Sequence, residues 1–173
     1  MFAVLAIALG VAQVAPAETE CLISPGAISQ PVPRFASFPA RIEKLGPPAP
    51  VDIRSNREAR TYRTVLRDGA GEGPNFAGHF ALVGWGCGAR CEQWAVIDEK
   101  SGKVHFEPSI EIIDATNVDP DAPLEFRRDS RLLIAMGAPH ENEARDGVGF
   151  YEWTGKSFKL LKFIPRAKAC RDR

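Results

Sequence analysis

The chain has 173 residues, of which 45% are hydrophobic and 25% are charged, and its 22 basic side chains balance 22 acidic ones. This size and composition are typical of one soluble globular domain. Because the net charge is zero, we expect no general attraction to nucleic acid or to anionic membranes.

Residues 1–17 have the pattern of a secretory signal peptide. The segment carries no charged side chain, has an apolar run from Phe2 to Val14, and ends with Ala15 and Ala17 in an A-x-A-like cleavage pattern. The apolar run is shorter than the ~20 residues that a membrane-spanning helix needs. We therefore expect a periplasmic or secreted protein with no membrane span after signal cleavage.

Four cysteines follow the predicted leader, namely Cys21, Cys87, Cys91 and Cys170. An even number of cysteines in an exported chain favours disulfides over free thiols, and three pairings are possible. Cys21 and Cys170 lie near the two ends of the mature chain, whereas Cys87 and Cys91 are neighbours. We expect the bridges Cys21–Cys170 and Cys87–Cys91.

Residues 18–50 contain seven of the 14 prolines and little apolar periodicity, which predicts an extended arm. Four apolar side chains are expected to anchor this arm on the core: Phe35, Phe38, Ile42 and Leu45.

A helix is predicted from Asn56 to Asp68. Ser55 and Glu58 have the spacing of a capping box, and an apolar stripe follows at helical spacing. The opposite face carries Arg57, Arg60, Arg63 and Arg67. This row is typical of a solvated helix face, and the alternative is a docking strip for an acidic polymer or phosphate.

Short β-prone runs fill the rest of the chain. They cover residues 79–85, 93–98, 103–106, 110–113, 124–126, 131–136, 148–154 and 157–164. We predict that residues 51–173 form a single α+β domain, in which one amphipathic helix near its N-terminus packs on a meandering antiparallel sheet braced by disulfides. The hairpins resemble propeller blades, but the chain is too short for a closed propeller.

The segment between Cys87 and Cys91 admits three interpretations. A metal site would need His79 and a further ligand such as His105, and a redox pair would need the spacing of the thioredoxin motif, which is absent. A structural disulfide that shapes the loop is favoured. The run Asn117, Asp119 and Asp121 begins like a calcium loop but lacks the rest of that motif. We expect no metal and no cofactor.

His79 is the only catalytic candidate, because histidine is suited to acid–base chemistry near neutral pH. The alternative is a hydrogen-bonded histidine that holds the start of a strand. No serine lies in a recognisable nucleophile motif. An acid–base enzyme, such as a hydrolase centred on His79, is therefore the second functional hypothesis.

A recognition surface is the leading hypothesis. Tryptophan and arginine are enriched at binding hot spots, and Trp85, Arg90 and Trp94 surround the cysteine loop. Asn75 and His79 complete the predicted binding set, and the alternative is that both tryptophans are core residues. We expect a non-enzymatic binding or inhibitor-like module for a protein or envelope ligand; a structural envelope protein is the third hypothesis.

The central segment also resembles a family of short exported bacterial proteins. The motifs that carry the resemblance are Asn75-Phe-Ala-Gly-His79, Trp85-Gly-Cys-Gly88 with Cys91, Val96-Ile-Asp98 and Gly102-Lys-Val104. They cover about a third of the chain. The resemblance implies an extracytoplasmic location and a small β-rich domain, and it implies no activity, substrate or cofactor.

Overall fold

The computed structural model describes residues 21–23, 28, 30–43, 46–116, 118 and 123–170. The predicted leader lies outside the described residues, as do Asn117, Asp119 and Asp121 of the acidic run.

An open, mostly antiparallel sheet of eight strands dominates the fold. The strands are β1 Phe80–Gly88, β2 Cys91–Asp98, β3 Val104–His105, β4 Ile112–Asp114, β5 Leu124–Phe126, β6 Leu132–Pro139, β7 Gly147–Trp153 and β8 Phe158–Pro165. Along the sheet the order is β1-β2-β4-β6-β7-β8, with β3 beside β2 and β5 beside β6. Each strand overlaps one of the eight runs predicted from the sequence, and β1 lies at one edge of the sheet.

The predicted helix is present as two segments, α1 Arg57–Thr61 and α2 Arg63–Gly71, and a third short helix, α3, covers Arg166–Ala169. Tyr62, with φ −95° and ψ 20°, interrupts the helix between α1 and α2.

The predicted capping box at Ser55 is wrong. The side chain of Asn56 caps α1 by accepting a hydrogen bond from the N–H of Glu58 at 2.7 Å. The N–H of Ser55 instead donates to the carboxylate of Asp52 at 3.2 Å. An asparagine one position later satisfies the free N–H groups of the first turn equally well.

Alternate residues of β1 enter two different apolar clusters. Phe80 and Leu82 belong to a cluster on one face of the sheet, whereas Ala81 and Val83 belong to a cluster on the other face beneath α2. The buried side chains of α2 are Leu66 and Ala70. The four arginines of α1 and α2 are exposed, as expected for a solvated face.

The described part of the arm packs against a third cluster, which includes Phe35 and Phe38 as predicted. The hydroxyl of Ser130 lies 2.9 Å from the carbonyl oxygens of both phenylalanines. The predicted anchor Ile42 is wrong, because its side chain is 54% exposed. Leu45 lies outside the described residues.

Two disulfides brace the chain, Cys21–Cys170 and Cys87–Cys91, with sequence separations of 149 and 4 residues. Disulfides of this kind are typical of proteins from oxidising compartments. Within the described residues, no helix has the length and apolar character needed to cross a membrane.

The two bridges should stabilise the fold unequally, because a disulfide restricts the unfolded chain more when it closes a longer loop. In the chain-entropy model, replacing Cys21 and Cys170 with serine should lower the free energy of unfolding by about 5 kcal/mol, against about 2 kcal/mol for Cys87 and Cys91. Urea denaturation of the two double variants measures both values. Equal losses would contradict this account.

Candidate functional site

The β1–β2 hairpin extends further than its two predicted strands. Gly86 pairs with Glu92 and Gly88 pairs with Cys91, so Cys87 is the extra residue of a β-bulge. The Cys87–Cys91 disulfide joins the two strands beside the turn. Glycine has little strand character of its own, and cross-strand pairing extends the hairpin through Gly86 and Gly88.

The outer edge of β1 is closed at its start by the chain itself. The N–H of Phe80 donates to the carbonyl of Phe76 at 3.0 Å, and the carbonyl of Phe80 accepts from the N–H groups of Asn75 and Phe76. Two residues further on, the N–H of Leu82 donates to Asn75 Oδ1 at 2.7 Å. The carbonyl of Leu82 accepts from Asn75 Nδ2 at 3.0 Å. The Asn75 side chain therefore replaces one residue of a neighbouring strand.

Beyond Leu82, none of the described residues covers the edge. Main-chain groups of a strand alternate in direction, so the next outward-facing pairs belong to Gly84 and Gly86. Gly84 lies opposite Trp94, whose N–H points away from β1 to the carbonyl of Glu111 at 2.9 Å. Both glycines are exposed, and no described residue hydrogen-bonds to their outward N–H and C=O groups.

The two tryptophans of the predicted surface lie on opposite faces of this hairpin. The ring of Trp94 covers Gly84, where any side chain would collide with it. Trp85 lies on the helix face, with its ring centroid 4.7 Å from that of Tyr62. Both rings are partly buried, and neither indole N–H has an acceptor among the described residues. Packing alone therefore holds the two rings beside the open edge.

Arg90 fixes the turn between β1 and β2. It has a positive φ of 59°, which is uncommon for a residue with a side chain. Its Nη1 donates to the carbonyl of Thr116 at 2.6 Å, and its own carbonyl accepts from Ala115 at 2.9 Å. The turn is thus tied to the segment that follows β4 as well as to the disulfide.

His79 lies at the opposite end of β1. Its Nε2 is 3.5 Å from Asp98 Oδ1. The Asp98 carboxylate is held in place by the N–H of Lys100 at 2.9 Å and the hydroxyl of Ser101 at 2.7 Å. The imidazole packs on Phe80, with ring centroids 4.2 Å apart.

A groove of about 250 Å³ adjoins His79, and Arg41, Glu43 and Arg131 also line it. Burial lowers the pKa of His79, and the charge of Lys100 lowers it further, while Asp98 and Glu43 partly oppose the shift. Glu43 pairs with Lys100 at 2.7 Å. The imidazole is therefore mostly neutral at pH 7 and able to accept a proton.

The predicted binding residues do not converge on one surface. Trp85, Arg90 and Trp94 lie towards the turn end of the hairpin, whereas His79 lies at the start of β1, whose nine residues span roughly 25 Å. Asn75 is engaged with Leu82 at the edge between them.

Sequence reasoning missed Gly84 and Gly86. Their only signal is the repeat of glycine at every second position of a strand, which marks a site where another backbone approaches closely.

The metal interpretation has no support from the described geometry. Cys87 and Cys91 are bonded to each other, and His105 packs edge-on against Trp153 with ring centroids 5.5 Å apart. Among the described residues, no group of three or more His, Cys, Asp or Glu side chains is placed to hold an ion.

Comparisons with protein-family models, with curated proteins and with solved structures found no match.

Proposed function

We propose that this protein is an exported, non-enzymatic binding module that takes a protein partner at the turn end of the β1–β2 hairpin. The observation that carries the proposal is the open edge at Gly84 and Gly86, beside Trp94 on one face of the sheet and Trp85 on the other. Aromatic rings next to unfilled main-chain hydrogen-bonding groups are typical of recognition surfaces.

The turn end of the hairpin is also held in place before any partner arrives. The Cys87–Cys91 disulfide and the contacts of Arg90 with Ala115 and Thr116 restrict its main chain. A site that is already ordered loses less conformational entropy on binding, which favours affinity.

The location and fold class belong to the same proposal. The leader pattern, the two disulfides and the resemblance to exported bacterial proteins support a periplasmic or secreted protein. The residues of α1 and α2, packed on the meandering sheet, support the α+β assignment. The partner would then be another protein of the cell envelope.

Capture experiments test this function. Immobilised protein would be incubated with envelope extract, the captured protein purified, and its affinity measured by calorimetry. Arg90→Gly and Trp94→Leu should weaken binding by about tenfold or more each, as expected for hot-spot residues. Glycine suits the positive φ at position 90, so Arg90→Gly keeps the backbone conformation of the turn and its main-chain bond to Ala115, and it removes only the side-chain bond to Thr116.

Arg60→Ala is the matched control, because Arg60 is exposed on α1 and its guanidinium donates to the carbonyl of Arg54 at 3.4 Å, outside the β1–β2 hairpin. It should bind like the wild type. Equal binding by the wild type, Arg90→Gly and Trp94→Leu would remove the proposed surface.

A hydrolase is the second candidate function, favoured by the pairing of His79 with Asp98 beside the 250 Å³ groove. In this role His79 would be the general base and Asp98 would orient its ring. The groove offers the cations Arg41 and Arg131, of which Arg131 pairs with Glu152 at 3.0 Å.

An ester-hydrolysis assay across pH tests the second candidate. Activity should rise with pH as His79 loses its proton, and the midpoint of the rise should lie below the ordinary histidine pKa of ~6.5, because burial depresses the pKa of His79. His79→Gln should lower the rate by about 100-fold or more, while His140→Gln, in an exposed turn, should not change it. A rate that His79→Gln leaves unchanged would exclude this role.

A further inference from the structure

We propose that the partner binds as an extended polypeptide segment, which adds a strand to β1 by hydrogen-bonding to Gly84 and Gly86. This inference rests on the proposed function and specifies the chemistry of its partner.

The chain itself shows what the open edge accepts. The outward main-chain groups of Phe80 are hydrogen-bonded to main-chain groups of the preceding segment. Those of Leu82 are hydrogen-bonded to the side-chain amide of Asn75, which has the same donor and acceptor as a peptide group. The outward pairs at Gly84 and Gly86 continue this ladder at a repeat of about 6.8 Å. An occupant must offer N–H and C=O groups at that repeat, which is the property of an extended polypeptide.

Asn75 also sets the register of the added strand. Its amide occupies the position opposite Leu82, so an incoming segment ends there and pairs only with Gly84 and Gly86. At the other end, the bulge at Cys87 and the turn interrupt the regular edge. The site therefore suits a short segment of about four to six residues.

The faces of the hairpin define the side chains that this segment should carry. Its residue opposite Gly84 projects to the same face as Trp94, because paired residues of neighbouring strands share a face. Gly84 has no side chain to cover the ring of Trp94 on that side, so a large apolar residue in the partner would complete the packing. The residues before and after it project towards the face that holds Trp85 and Tyr62.

A second copy of this chain fits the edge less well than a different partner. In a pair of β1 edges, each strand would present its own Gly84 and Gly86 to the other strand. Neither copy would then supply a side chain to pack on Trp94. The observations thus favour a heterologous segment with an aromatic or large aliphatic residue at its centre.

Synthetic octapeptides provide the probe. A panel would alternate threonine with valine, isoleucine, phenylalanine or tryptophan, with lysine at both ends for solubility, and binding would be followed by the 15N–1H amide signals of the protein. A binding peptide should shift the signals of Gly84 and Gly86 more than that of Gly155, which lies in the β7–β8 turn beside the His79 groove, at the other end of β1. The same peptide, N-methylated at its edge-facing amides, should lose about tenfold or more in affinity because it lacks the donors.

A matched pair of variants tests the hydrogen bond that the N–H of residue 86 donates to the peptide. Gly86→Pro removes the outward N–H, whereas Gly86→Ala keeps it, and a Cβ at this position meets no atom within 4 Å. Proline is tolerated at edge strands. We expect Gly86→Ala to bind the peptide like the wild type and Gly86→Pro to bind about tenfold or more weakly. The N-methylated peptide gives the same test without changing the protein.

Three results would overturn strand addition: no peptide of the panel binds, N-methylation leaves the affinity unchanged, or Gly84 and Gly86 shift with protein concentration in the absence of peptide. The last result would assign the edge to a second copy.

The failure of strand addition can be told apart from the failure of the proposed function. If the captured envelope protein is lost with Trp94→Leu but retained by Gly86→Pro, the binding function stands and strand addition fails. If neither change affects capture, the binding function itself fails.

Discussion

The two hydrogen bonds between the Asn75 amide and the main chain of Leu82 determine where the closed part of the sheet edge ends. An exposed strand edge is a template for pairing with other chains, and proteins usually cover it. Here the chain covers the edge at Phe80 and Leu82, and no residue that the structure describes covers it at Gly84 and Gly86. The open part is short, lies beside two tryptophans and is held by a disulfide. A short opening of this kind limits indiscriminate aggregation while it leaves room for a specific partner.

The two ends of β1 have different chemistry, which separates the two candidate functions. The turn end presents unfilled main-chain groups and aromatic surface, with Arg90 engaged by Thr116. The start of β1 presents a histidine whose pKa is lowered by burial, its carboxylate partner Asp98 and a groove with arginines. Nothing in the geometry requires the two ends to act together. If the protein binds its partner at the turn end, His79 can therefore have a purely structural role, in which it holds Asp98 at the end of β2.

Short-range pattern was enough to predict the strands and the solvated face of the helix, because each depends on residues close in sequence. The disulfide pairing followed from the positions of the four cysteines: Cys87 and Cys91 are neighbours, which leaves Cys21 and Cys170 to pair with each other. The sequence predictions were wrong where two or more nearby residues could take the same structural role. Asn56 caps the helix in place of Ser55, and Ile42 stays exposed although Phe35 and Phe38 pack. The open edge could not be predicted, because it depends on the β1–β2 register and on which main-chain groups hydrogen-bond to the Asn75 side chain. For the same reason the sequence placed Trp85 and Trp94 on one surface, whereas the pairing puts them on opposite faces.

Amide hydrogen exchange in the free protein tests the central claim most directly. The N–H of Leu82 is bonded to Asn75, and that of Trp85 faces β2, so both should exchange slowly. The N–H groups of Gly84 and Gly86 face outward without a described partner and should exchange about 100-fold or more faster than that of Leu82. Protection of both glycines equal to that of Leu82 would show that the edge is already filled, and it would contradict the account.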